Sequence, residues 1–316
     1  MSFGSLFADD YLDRSAERFE ASYTSLKAPP KHWSPSQLKT LSRCERAYWF
    51  DYRLDVPRTG SRATEIGSRV HAVLEAHLKG EIDLSDPNCA YVQDSLAGHE
   101  HSADVSTARI IEIARAGLKH LPAPKVPGDE LHIEADFSGQ LSVDGTPVRC
   151  FADIFNARDT ERPEIDDHKT ASSTRYLLDG DALSRDLQVV TYAAAVLELY
   201  AEAGLPVPES VKVRHIVYLT KSPGSPEPAY AVLTPEQILD VYTGTIEPLV
   251  RRSRVVLDAE HPRDVTPSWG ACGDYGGCPH RERCEALRRL ANPEPTDNGD
   301  ADMSIKDKLR AKLAER

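Results

Sequence analysis

The lone cysteine Cys44, in SPSQLKTLSRCERAYWF, and the cluster Cys272, Cys278 and Cys284, in CGDYGGCPHRERC, set the strongest constraint on this chain. Three thiols spaced C-x5-C-x5-C beside aromatic and basic residues have the pattern of three metal or iron–sulfur ligands. A fourth thiol more than two hundred residues earlier completes a four-thiolate set, and its use would tie the two ends of one domain together. The other two cysteines, Cys89 and Cys150, fall outside any ligand spacing, and Cys150 lies in an apolar stretch that reads as core. Thiols are reduced in the cytosol, where the chain is expected to reside, so ligation or burial explains six of them better than disulfides.

A chain of 316 residues with 40% apolar side chains can form one large or two modest domains. No stretch approaches the about 20 continuous apolar residues of a membrane span, and no basic-then-apolar secretion signal opens the sequence. A formal net charge of −12 argues against a simple nucleic-acid coat, which normally wants a basic surface, but not against an enzyme that keeps its cations in one groove.

Residues 1–30 read as a polar arm, 31–290 as the main domain, and 291–316 as a linker and short helix with Ile305, Leu309 and Leu313 on one stripe. That stripe reads as a solvated tail or as a docking helix for a partner. Within the domain, SPSQLKTLSRCERAYWFDYRL reads as one helix capped by Ser36, EIGSRVHAVLEAHL as a second and STARIIEIARAGLKHL as a third. Alternating apolar residues with the hairpin pair Asp144-Gly145 predict a strand meander over ELHIEADFSGQLSVDGTPVRCFADIFNA. PEIDDHKTA continues it, a long helix ends at Gly204, SVKVRHIVYLT is a further strand, and Thr234-Pro235-Glu236-Gln237 opens a helix to about Leu257. This order predicts an α/β domain with a small central sheet.

Asp153 and Asp167 lie on neighbouring predicted strands, and Lys169, two residues beyond Asp167, shares its strand face. Two carboxylates beside an ammonium group suit a hard cation such as Mg²⁺ or Mn²⁺. Taken alone, D-x-K is a common surface ion pair; Asp166, on the opposite face, is the weaker candidate. His71 is a third candidate ligand, with Gly67 allowing close backbone approach and Glu75 one turn on as a partner for its imidazole. Gln188 and Tyr192, one helical turn apart, either contact a nucleic-acid strand or brace the lysine.

Taken in order, these pieces resemble the RecB-type exonucleases of the PD-(D/E)XK superfamily, in the branch with an iron–sulfur staple that includes CRISPR-associated exonucleases. SPSQLKTLSRC is similar to the opening S-x-S-x-L helix, GSRVHAVLE to the metal-binding histidine motif, FADIF and IDDHKT to the aspartate and I-D-x-K-T strands, and LQVVTY to Q-x-x-x-Y. The resemblance covers about Ser34 to Cys284 and implies a restriction-endonuclease-like core, with a small mixed sheet flanked by helices. It implies metal-dependent DNA hydrolysis, usually exonucleolytic on single strands or duplex ends, in recombination, repair or CRISPR adaptation. His71, Asp153, Asp167 and the backbone carbonyl of His168 would hold Mg²⁺ or Mn²⁺, Lys169 would act on the water, and Gln188 and Tyr192 would contact substrate. Cys44, Cys272, Cys278 and Cys284 would hold a 4Fe-4S cluster. The five residues between Cys272 and Cys278, against the family's two, keep zinc open as the alternative. A non-catalytic DNA-binding adaptor is the second functional class; a recombination or CRISPR partner would meet the C-terminal helix. No G-x-x-x-x-G-K-[ST] is present, so any motor is a separate protein.

Overall fold

A computed structural model describes residues 23, 26–54, 61–89 and 105–291. The expected arm and the 305–313 stripe lie almost wholly outside these residues. The chain divides into two compact units, one of Lys27–Ser268 and one of Met1–Leu26 with Trp269–Arg316. Among the described residues, no helix is long and apolar enough to cross a membrane.

The larger unit opens with α1 (Pro35–Arg43) and α2 (Glu45–Arg53), where the sequence predicts one helix. Ser34, not Ser36, is the cap: its Oγ accepts from the Gln37 N–H at 3.3 Å. Pro35 explains the shift, because a residue without an N–H belongs at the first helical position. Cys44 then breaks the helix in extended conformation, with φ −161 and ψ 114. α3 (Arg62–Leu78) is capped by Ser61 and α4 (Thr107–Arg115) by Ser106.

The strands follow: β1 (Leu131–Asp136), the hairpin β2 (Ser142–Val143) and β3 (Thr146–Pro147), β4 (Phe151–Asn156) and β5 (Glu164–Ala171). Asp144 and Gly145 both have positive φ, 47° and 79°, as a tight two-residue hairpin requires. After a short α5 (Gly180–Leu183), α6 (Leu187–Glu202) crosses to β6 (Val211–Leu219), which pairs parallel with β5; β7 (Ala229–Leu233), not foreseen from the sequence, closes the sheet. The order is β1-β4-β5-β6-β7, mixed as expected. α7 (Pro235–Val241) carries the capping box and joins α8 (Glu247–Asp258) through one π-helical turn at Tyr242–Ile246. Pro248 cannot donate back along a regular helix, which accounts for the irregular turn preceding it.

Both sheet faces are covered. Val70, Val73 and Leu74 of α3 pack with Ile110, Ile111 and Ile113 of α4 over Ile216 and Tyr218 of β6. α6 lies on the other face and is buried almost all round, which explains its lack of a polar stripe from Val189 to Val196. Trp49 of α2 donates to the Ala259 carbonyl at 2.9 Å, and Arg46 to that of Val265 at 2.9 Å. Cys150 is buried just before β4, and burial pushes its thiol up to about 12, as suits a core residue.

Gly117, just past α4, makes room for a ring: a Cβ there would come 2.2 Å from Tyr218 Cε1. Gly117→Ala is therefore expected to cost about 1–3 kcal/mol through overpacking, read as a lowered denaturant midpoint with unchanged slope. An unchanged midpoint would show that the ring can move aside freely.

Candidate active site

The ladder between β4 and β5 ends at Ile154↔Asp166, and the strands part beyond it. The His168 N–H freed by that parting is taken up by the Asp153 side chain, Oδ2 at 2.5 Å. The other oxygen, Oδ1, lies 3.1 Å from Nδ1 of His71. α3 can bring His71 this close because it meets β5 at Gly67, where a Cβ would sit 3.1 Å from Thr170 Oγ1. Asp153 is thus held by one residue from each element the sequence pointed to.

The sequence reading missed Glu134. Within β1 the register places it opposite Asp153, yet it leaves the ladder, with Ile133↔Ile154 and Ala135↔Ala152 paired on either side. Its φ of 54° is left-handed, a conformation that costs a non-glycine residue about 1–2 kcal/mol. The result is a tight donor set: one atom each from His71, Glu134 and Asp153, all within 4.8 Å of one another. No other trio of His, Cys, Asp or Glu donors is as close among the described residues. The three line a cleft of about 550 Å³ with Glu75, His168 and Lys169. In ELHIEAD, Glu134 alternates with His132 and Asp136 as on any solvent-facing strand; only the partner strand singles it out.

Asp167 and Lys169 share a face, as the period of two requires, and form an ion pair. Asp167 does not join the trio, contrary to the convergence expected of His71, Asp153 and Asp167. Its carboxylate is engaged elsewhere: Gln188 Nε2 donates to it at 3.2 Å, and His215 Nε2 stands 3.5 Å away. Gln188 also reaches the Tyr192 hydroxyl at 2.6 Å, and Tyr192 is buried. The pair therefore braces the aspartate. On α1, Lys39 pairs with Asp186 at 2.9 Å and lies 3.4 Å from Gln188 Oε1, which extends the brace. Asp166 points to the opposite face, in a two-pronged pair with Arg214 at 2.6 Å for each bond.

The electrostatics suit a cation. Burial raises Asp153, but the His71 hydrogen bond and the neighbouring positive groups outweigh it and keep the acid ionised. Burial lowers Lys169, yet Asp167 and Asp153 hold it above its ordinary value. Glu134 is pushed up to about 7 by burial and by the charges of Asp153 and Glu75. Burial takes His168 down to about 4, so its imidazole is neutral. Three carboxylates crowd one cleft with a single lysine among its lining residues, an arrangement that a divalent ion would relieve. A cation must displace the Glu134 proton, so its affinity is expected to fall as pH drops below about 7, by at most about tenfold per unit for that one proton, and to level off above. Calorimetric titration with Mn²⁺ at about pH 6 and about pH 8 checks the sign; equal affinities at both would contradict it.

The cysteines lie on other elements. Cys44 is buried in the larger unit, its Sγ accepting from the Ser268 N–H at 3.4 Å. In the other unit, Cys272 lies in a 3₁₀ segment (Trp269–Gly276), and Cys284, buried, lies on α9 (Arg281–Ala291); Cys278 N–H donates to the Cys272 carbonyl at 3.0 Å. Tetrahedral thiolates about 2.3 Å from zinc would stand about 3.8 Å apart. Among the described residues of this unit, the Cys272, Cys278 and Cys284 sulfurs do not form a trio within 4.8 Å of one another.

A family model described as the PD-(D/E)XK nuclease superfamily matches residues 32–285, the span that carries the sheet, the trio and Lys169. The chain belongs to the PD-(D/E)XK nuclease superfamily. This PD-(D/E)XK protein is accordingly a nuclease-class hydrolase acting on phosphodiester bonds, with DNA as substrate class and Mg²⁺ or Mn²⁺ as the usual cations. No curated protein matches the sequence. A solved structure titled "Crystal structure of SSO0001" aligns at 12% identity over 82% of this chain and 90% of its own, with a TM-score of 0.33.

Proposed function

We propose that the protein is a metal-dependent DNA exonuclease working on single strands or duplex ends, in recombination, repair or CRISPR adaptation. The observation that carries this reading is the approach of His71, Glu134 and Asp153 to within 4.8 Å in a cleft that also contains Lys169. An imidazole with carboxylate oxygens fits Mn²⁺ or Mg²⁺. We assign His71, Glu134 and Asp153 as its direct ligands, with Asp167 and the His168 carbonyl as further oxygens on the same strand end. A cation held there would make bound water acidic and offset charge on the phosphate.

The chain's own groups supply the rest. Lys169 orients the attacking water or balances the negative charge that develops during displacement. Asp167, steadied by Gln188, holds the ammonium in place. The test is a cleavage time course on 5′- and 3′-labelled single- and double-stranded DNA with each divalent ion. Ladders shortening from one end are expected with Mn²⁺ or Mg²⁺; internal cuts alone would replace "exonuclease" by "endonuclease", and no cutting would leave a DNA-binding adaptor.

A 4Fe-4S staple at Cys44, Cys272, Cys278 and Cys284 rests on the order and kind of these residues. Protein purified without oxygen is then expected to be brown and to contain iron and sulfide. A colourless, zinc-containing preparation would assign zinc instead, and a metal-free one would remove the staple.

A further inference from the structure

His168 is the variable residue inside the D-x-K motif, and its side chain has an unusual set of neighbours. The residue is 3% exposed, and its ring meets His71 edge-on with centroids 5.6 Å apart. Nδ1 lies 3.3 Å from the Tyr218 hydroxyl. Nε2 is buried with no hydrogen-bond partner among the described residues, although His168 lines the same cleft as the trio.

Counting donors decides the tautomer. Tyr218 is fully buried, and His168 Nδ1 is its hydroxyl's one hydrogen-bond partner among the described residues. If the hydroxyl donates to Nδ1, both groups are satisfied and one orphan remains, the proton on Nε2. If Nδ1 carried the proton, the Tyr218 O–H and the Nε2 lone pair would both be stranded. Each stranded buried group is costly, so the arrangement with fewer of them is favoured. The first arrangement wins, and it leaves a single proton on the ring, at Nε2. A buried N–H without a protein partner calls for one from outside the chain.

We propose that the Nε2–H of His168 donates a hydrogen bond to a non-bridging oxygen of the phosphate entering the cleft, and that Tyr218 is the positioning residue that keeps the proton on that nitrogen. The ligand class is thus a phosphodiester or terminal phosphate. Being neutral, the donor does not repel the cation expected beside it, whereas an imidazolium would. The inference rests on the nuclease reading and adds a specificity contact to the same site.

Glutamine places its amide nitrogen where Nε2 stands, and asparagine mimics Nδ1, so the two substitutions separate donor from packing. Binding of thymidine 5′-monophosphate is measured with Ca²⁺ present, alongside the KM and kcat of DNA cleavage. His168→Gln is expected to bind close to the wild type, and His168→Asn about 10- to 100-fold more weakly, the usual scale for a hydrogen bond to a charged group. Labelled-histidine NMR is expected to show Nε2 protonated and Nδ1 bare in the wild type, with the tautomers mixed in Tyr218→Phe. Equal losses in both His168 variants would make the role structural and overturn the proposal; so would wild-type binding by the asparagine variant, or a proton on Nδ1. A wild type that binds the nucleotide through His168 yet cuts no DNA would sink the nuclease reading and leave the donor standing.

Discussion

Lys169→Ala is expected to fold, to bind DNA in Ca²⁺, and to lose about 10²- to 10⁴-fold in cleavage rate, the scale of one preorganised charge at a reacting phosphate. The fold should survive because the neighbouring acid keeps another partner: Asp167 retains the Gln188 hydrogen bond at 3.2 Å when the ammonium is gone. The loss should fall on kcat rather than on DNA affinity, since Lys169 is paired with Asp167 in the resting site and is not a free surface cation. Single-turnover cleavage of end-labelled DNA, with circular dichroism as the folding control, measures both parts. Digestion at the wild-type rate would remove Lys169 from the chemistry.

Glu134→Gln should weaken Mn²⁺ binding by at least about tenfold, because an amide can neither carry the charge nor be made anionic for the ion. The substitution keeps the size of the side chain, so the left-handed backbone at this position is no more strained than before. It also removes a carboxylate that burial, Asp153 and Glu75 push up to about 7, so the metal-free protein should be no less stable at neutral pH and somewhat more so. The sign follows from linkage: a raised folded pKa means that the ionised acid opposes folding as pH climbs from its ordinary value through 7. Glu75→Gln is the control, since Glu75 lines the cleft but stands outside the trio, paired with Lys79. Isothermal titration of both variants decides the matter: equal affinity in Glu134→Gln and wild type would exclude Glu134 as a ligand.

These two residues differ in how they could be found. Lys169 was legible because D-x-K on a strand puts both side chains on one face by the period of two alone. Glu134 was not, since its neighbours His132 and Asp136 carry the same local signal and only pairing with β4 sets it against Asp153. The same holds for Gln188 and Tyr192. Their spacing sets them one helical turn apart, but only the tertiary structure shows that Gln188 reaches an aspartate on another strand.

Local physics in the chain itself determined the helix caps, the Asp144-Gly145 turn, the strand faces of Asp166 and Asp167, and the ordered motifs that mark the superfamily. Each of these depends on residues a few positions apart, so spacing and side-chain type suffice. Only the tertiary structure decided which acids share a cleft with His71, that Asp167 is engaged by Gln188, and that His168 keeps a buried nitrogen without a partner among the described residues. Those outcomes are set where β4 and β5 part and where α3 closes on β5 at Gly67, and strand register and helix packing belong to pairs of distant segments, not to any one of them.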